Sequence, residues 1–202
     1  MKIFNNKEEE KMRKKIVTAM LFIGSALIFA GTSMALEFSA DMVMTAEGHK
    51  MTGKMFAKGD LSRMEMTSEG QRMITIARAD KKVIWNLMPE ENIYMEMPLN
   101  PKQMPKTEIK GEIDRKLVGS ETIDGHPTNK YLITYKDGTA TEKVYQWWAT
   151  DINFPVKTAD VNNTWAQEFK NVKVGSQPNS LFEVPKGYQK MQIPGMPSNM
   201  MR

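Results

Sequence analysis

From Phe38 onward the chain alternates. Phe38, Ala40, Met42 and Met44 occupy every second position, and Ser39, Asp41 and Thr45 lie between them with Val43. A period of two marks a strand with one buried face, because successive side chains of extended backbone point to opposite sides. The pattern recurs between tight polar connections. Met51, Gly53, Met55 and Ala57 alternate with Lys50, Thr52, Lys54 and Lys58; Met64 and Met66 alternate with Arg63 and Glu65. Residues 72–78 read as a fourth strand, and Val83, Trp85 and Leu87 share one face of a fifth. Ile93, Met95 and Met97 alternate with Tyr94 and Glu96 in a sixth. Gly59-Asp60, Glu69-Gly70, Ala79-Asp80-Lys81 and Pro89-Glu90-Glu91-Asn92 supply turn chemistry between them. Six short strands so joined predict an antiparallel meander.

Pro98, Pro101 and Pro105 then interrupt the alternation, and residues 106–114 are expected to form a short helix. Strand patterning resumes at Leu117, with turns at Asp124-Gly125, Asp137-Gly138 and Asn162-Asn163. Tyr131, Ile133 and Tyr135 share one strand face; Trp165, Gln167 and Phe169 share another; Trp147 and Trp148 must point to opposite faces. No convincing amphipathic helix intervenes. About ten strands are expected, and a sheet of that size must curl or close to protect its edges. The predicted fold class is therefore mainly β: a large curved antiparallel sheet, or incomplete barrel, with few short helices.

The N-terminal end reads differently. Met12-Arg13-Lys14-Lys15 is basic, residues 16–30 are uncharged and mostly apolar, and Ser33-Met34-Ala35 has the small-x-small spacing of a cleavage site. This predicts an export signal over 1–35, cleaved near Ala35, with Met12 as the true start because Glu8, Glu9 and Glu10 do not suit a signal's basic region. The apolar run is short of the ~20 residues that span a bilayer. A single domain is expected over 36–190, followed by a flexible tail over 191–202.

Six of the 28 basic residues and three of the 24 acidic ones lie in 1–35. The remainder, 22 against 21, is nearly neutral and leaves no electrostatic footprint for nucleic acid. The chain has no cysteine, so it has no disulfide, no thiol nucleophile and no site for bacterial N-terminal lipidation. There is no Gly-x-Ser-x-Gly elbow and no His-Glu-x-x-His. The expected protein is not an enzyme, uses no cofactor and is periplasmic, with no stable membrane span after cleavage.

Methionine is the compositional outlier, with 19 in all and 15 beyond residue 35. Met42/Met44, Met64/Met66 and Met95/Met97 have Met-x-Met spacing, which sets two thioethers side by side on one strand face. Three readings compete. The pairs fill an ordinary core; they line a deformable apolar pocket; or Met42, Met44, Met64, Met66, Met95 and Met97 bind a soft metal such as Cu(I) or Ag(I).

Four segments carry a family resemblance. They are Lys58-Gly59-Asp60-Leu61-Ser62-Arg63-Met64-Glu65, Ile76-Ala77-Arg78-Ala79-Asp80-Lys81-Lys82-Val83-Ile84-Trp85, Val118-Gly119-Ser120-Glu121-Thr122-Ile123-Asp124-Gly125-His126-Pro127-Thr128, and Leu181-Phe182-Glu183-Val184-Pro185-Lys186-Gly187-Tyr188. In this order they resemble the LolA-like superfamily of outer-membrane lipoprotein-sorting proteins, in a branch of unassigned function. The resemblance implies an unclosed barrel with a helical lid, holding acyl chains or another apolar ligand. The chain departs from it in having no helix before the strand at Phe38 and no evident lid helices. The residues expected to line an apolar pocket are Met42, Met44, Met64, Met66, Trp85, Met95, Met97, Tyr131 and Trp148. The expected partner is a lipid or acyl chain, with an envelope protein partner, engaged by a sheet face or edge, as the alternative.

Overall fold

The computed structural model describes residues 36–46, 48–68, 70–99 and 109–191. The expected export signal, the proline-rich stretch 100–108 and residues 192–202 lie outside the described residues.

Twelve strands form one sheet. They are β1 (Phe38–Ala46), β2 (His49–Lys58), β3 (Leu61–Ser68), β4 (Gln71–Arg78), β5 (Val83–Met88), β6 (Ile93–Pro98), β7 (Glu112–Ile123), β8 (His126–Asp137), β9 (Ala140–Ala149), β10 (Phe154–Asp160), β11 (Trp165–Val174) and β12 (Gln189–Lys190). Their order across the sheet is β12-β6-β5-β4-β3-β2-β1-β11-β10-β9-β8-β7. The chain lays down a six-strand meander, passes to the far edge, and lays down a second meander that returns to pair β11 with β1. The result is the large, open, curved sheet that the alternation predicts.

Two expectations are corrected. Among the described residues there are twelve strands rather than about ten. Within the stretch expected to be helical, residues 112–114 instead open β7, where Glu112 and Asp114 pair with Tyr135 and Thr134. At the end of the expected domain, Gln189 and Lys190 pair in parallel with Ile93 and Tyr94 of β6. Among the described residues no α-helix covers the sheet, and none is long and apolar enough to cross a membrane.

The bend is visible in the side chains. Phe38 on β1 and Phe154 on β10 are two strands apart, about 9–10 Å of backbone spacing, yet their rings meet at 4.8 Å. Phe154 also meets Phe169 of β11 at 5.2 Å. Rings converge in this way when the sheet curves toward the face that carries them. Met42, Met55 and Met64 complete the same buried cluster. Gly53 shows the curvature from the backbone side: a Cβ there would lie 2.1 Å from the Glu65 carbonyl oxygen and 2.6 Å from Met66 Sδ. Only glycine admits that approach of β2 to β3.

The back of β3–β6 is covered by the chain's own terminal segment. After β11, Gly175 donates to Glu37 O at 2.8 Å, and Lys58 Nζ donates to Gln177 O at 3.0 Å. A 3-10 turn at Asn179–Phe182 drives the fully buried Phe182 among Ile74, Ile76, Trp85 and Leu87. Two buried arginines cap its carbonyls: Arg63 Nη1 donates to Leu181 O and Arg78 Nη1 to Phe182 O, both at 3.0 Å. Arg78 also pairs with Asp80 at 2.7 Å and with Glu183, and these carboxylates hold the guanidinium in its charged form. This strap ends on the sheet edge, where Gln189 and Met191 donate to Asn92 O and Tyr94 O at 2.8 Å.

Candidate functional site

The register of β1–β6 runs without a bulge. Directly paired residues of neighbouring strands point to the same side, so the ladders assign every side chain to a face. Met42 pairs with Gly53, Gly53 with Met66, and Met66 with Met73. Met55 pairs with Met64, and that row continues through Thr75 and Asn86 to Met95. Met44 pairs with Met51, Met88 with Ile93, and Ile84 with Met97. All ten methionines of β1–β6 therefore share the concave face. Met42 and Met64 are 1% and 7% exposed, while Met44, Met66, Met95 and Met97 are half-buried.

Sequence reasoning identified six of the ten through their pair spacing. Met51, Met55, Met73 and Met88 lack that spacing and join the face only once strand register is known. Met51 and Met55 could have been found from their alternation with Lys50, Thr52 and Lys54.

Trp85 does not join them. It pairs with Ile76 and Glu96 and faces the strap. Its Nε1 donates to Glu96 Oε2 at 2.9 Å, and the cations of Lys81 and Arg78 lie 5.2 Å and 6.0 Å from its ring. Its physical role is to complete the back cluster around Phe182.

Tyr131 and Trp148 lie on the concave face, half-buried, on the second meander. The Trp148 indole donates to Asn153 Oδ1 at 3.0 Å. Tyr131 belongs to a polar row that sequence reasoning did not assemble. Tyr131 pairs with Gln146, Gln146 with Thr158, Thr158 with Gln167, and Gln167 with Met44. Gln146 is 1% exposed, and its Oε1 accepts from Arg115 Nη1 at 2.9 Å. Arg115 lies 5.3 Å over the Tyr131 ring and is held by both carboxylate oxygens of Glu112 at 2.8 Å. Gln167 Nε2 donates to Met42 Sδ at 3.4 Å, which joins the polar row to the methionines. Further along the same face, burial raises the pKa of the Tyr135 hydroxyl, assisted by the negative charges of Glu142, Asp137 and Asp160.

Elsewhere the chemistry is structural. Burial works against ionisation of Glu65, but hydrogen bonds from Arg63 and Arg72, at 2.7 and 2.5 Å, leave its pKa lowered. His126 Nδ1 meets Asp151 Oδ2 at 2.7 Å beside the β7–β8 turn. Among the described residues no three His, Cys, Asp or Glu side chains converge as a metal site. A depression of about 370 Å³ opens on the back of β1–β4, lined mostly by residues of that face such as Asp41, Thr52, Lys54, Glu65 and Arg72, with Met42 and Gly53 beneath them. A second, of about 230 Å³, lies against Ser120, Pro127 and Thr150. Neither encloses the methionine surface.

The comparisons with known proteins agree with the architecture. The fold is similar to an uncharacterized conserved protein from Thermus thermophilus, with 14% identity and a TM-score of 0.58 over 87% of this chain and 98% of that one. It is also similar to MucB, solved in complex with MucA(peri), with 14% identity and a TM-score of 0.52 over 78% of this chain. The match spans 57% of the MucB chain; a further structure of the pair is from Pseudomonas aeruginosa. A LolA superfamily protein from Nitrosomonas europaea is matched at 14% identity and a TM-score of 0.32, over 82% of this chain and 96% of that one, too distantly for its geometry to be carried across. No curated protein matches the sequence. Residues 37–153, more than half of the chain, match the family described as a domain of unknown function, DUF4412, and the chain belongs to that family.

Proposed function

We propose that this is an exported, non-catalytic carrier that holds a lipid or acyl chain against the methionine-lined concave face in the periplasm. The observation that carries this reading is the segregation of ten methionines onto one face of β1–β6, opposite a back face that the chain covers with its own strap. Thioether side chains are flexible and polarizable, so they repack around apolar ligands of varied shape. About ten methylenes buried at ~0.8 kcal/mol each give roughly 8 kcal/mol, near micromolar affinity before the costs of binding. That range allows a chain to be held and later released.

Delipidated protein should bind an acyl-chain fluorophore at one saturable site, and Met64→Asp with Met95→Asp should abolish the binding. Unchanged affinity in the double variant would remove the reading. The same surface bears on the soft-metal alternative, since thioethers favour Cu(I); stoichiometric uptake in an anaerobic Cu(I) titration would select it.

A second reading, an envelope protein partner, is favoured by the far edge. Among the described residues β7 pairs only with β8, and Ile113 and Leu117 are more than half exposed there. An extended peptide can add to such an edge. MucB, the similar structure, was solved with a protein partner. A Leu117→Lys variant that retained every partner captured by the parent protein would count against this edge.

A further inference from the structure

The concave face has two chemistries. On β1–β6 it is methionine; on β8–β11 one cross-strand row presents Tyr131, Gln146, Thr158 and Gln167. Consecutive members sit on adjacent strands, about 4.8 Å apart, so the row runs on the order of 15 Å before it meets Met44. A polar row across the inside of a curved sheet is costly unless its groups are hydrogen-bonded, because a buried, unmatched polar group loses about 1–3 kcal/mol.

The protein uses only part of this row's capacity. Gln146 spends its Oε1 on Arg115, and its Nε2 finds no partner among the described residues although the residue is almost fully buried. No fully buried side-chain nitrogen or oxygen among the described residues lacks a partner, so the exposure Gln146 retains includes this amide. Gln167 spends Nε2 on the weak acceptor Met42 Sδ, leaving its Oε1 open. Thr158 Oγ1 makes no side-chain hydrogen bond among the described residues, and Tyr131 OH receives only a 3.5 Å contact from Asn129. The unspent groups are one amide donor, one amide acceptor and two hydroxyls, each able to give or take a proton. None carries charge, and the one cation beside them among the described residues, Arg115, is paired with Glu112.

Resting on the carrier reading above, we infer that this row is a head-group subsite, and that the preferred ligand is an amphiphile with an uncharged, hydroxyl-rich head. The tail lies across the methionines and the head meets Tyr131, Gln146, Thr158 and Gln167. An anionic head is disfavoured here. It would find no free cation along the row among the described residues, and its acceptor-only oxygens would leave the Gln167 Oε1 without a donor. A hydroxylated head supplies both donors and acceptors at the spacing of the row. A site built to hydrogen-bond a polar group discriminates strongly against a ligand that cannot return the bonds.

The test holds the tail constant and changes the head. Delipidated full-length protein is titrated, below micellar concentrations, with n-dodecyl β-D-maltoside and with dodecanoate. The expected result is at least tenfold tighter binding of the maltoside. In Gln146→Met with Gln167→Met, which nearly preserves side-chain shape, that preference should fall below about threefold. Thr158→Val, on a half-buried side chain, is the second variant and should reduce the preference by a smaller factor. Equal affinity for both probes in the parent protein, or a preference untouched by all three substitutions, overturns the head-group subsite while leaving the apolar carrier intact. Binding of neither probe by the parent protein overturns the carrier reading and the subsite with it.

Discussion

The two meanders use the same strand-turn-strand grammar to different ends. β1–β6 pair in unbroken register and present methionine on the concave side, and the strap covers the back of β3–β6. The ladders of the second half shift register at Ser39/Asp41, Pro155/Lys157, Glu112/Asp114 and Leu117/Gly119. Behind it Lys130, Trp147 and Lys157 stand in a row, the two ammonium groups 4.6 and 4.9 Å from the indole ring. Bulges bend and twist a sheet locally. The regular half therefore offers a uniform apolar wall, and the irregular half turns the wall into a trough and brings polar groups to its side. The strap closes the back of β3–β6 around Phe182, while a second buried cluster, around Phe38, Met42, Phe154 and Phe169, ties the two halves together.

Substitutions on the two faces of β1–β6 should separate these roles. The largest effect is expected from Phe182→Ala, which empties the fully buried site under the strap and should cost about 3–5 kcal/mol in urea unfolding. A cost below about 1 kcal/mol would show that the strap is not part of the cooperative fold. Gly53→Val comes next. Its side chain would have to displace the Glu65 carbonyl and Met66, so a loss of at least ~1–3 kcal/mol is expected together with weakened acyl-probe binding.

Trp85→Phe removes the indole donor to Glu96 and should cost ~1–3 kcal/mol. It should leave acyl-probe affinity within twofold, because Trp85 faces away from the trough. A tenfold loss of affinity would return Trp85 to the lining.

Acid should loosen the strap before it affects the trough. Hydrogen bonds from Lys190 and then Trp85 lower the pKa of Glu96. That of Glu183 is lowered because Arg78 and Lys81 outweigh its burial. Carboxylates with depressed folded-state values stabilise above their unfolded pKa, and that contribution is lost as pH falls below about 4.5 toward the folded values. Backbone exchange protection at Gln189 and Met191 should fall in this window, and Lys190→Ala should flatten the dependence on Glu96. Protection that is constant from about pH 6 to about pH 3 would contradict the assignment.

The sequence made the strands legible because alternation is a local signal and tight turns punctuate it. It made the methionine pairs legible for the same reason. It did not reveal that the ten methionines share a face, since that depends on register between strands that local patterning does not specify. Trp85 was misplaced on that account: alternation grouped it with Val83 and Leu87 but could not say which side of the sheet they faced. The polar row was hidden for a similar reason, because Tyr131, Gln146, Thr158 and Gln167 come from four strands and each is unremarkable alone. The segments that carry the family resemblance proved to be mostly strap chemistry. Lys58, Arg63, Arg78, Lys81 and Trp85 all meet residues 177–183 or pack beside them. The resemblance therefore reports how the sheet is stabilised more directly than what it holds.

The claim that the trough holds an acyl chain is most directly tested with the methionine methyl groups. With ¹³C-methyl methionine, a spin-labelled stearic acid should broaden the resonances of Met42, Met44, Met64, Met66, Met95 and Met97, and its reduced, diamagnetic form should leave them sharp. Resonances of these six methyl groups that stay sharp at saturating spin-labelled ligand would contradict the account.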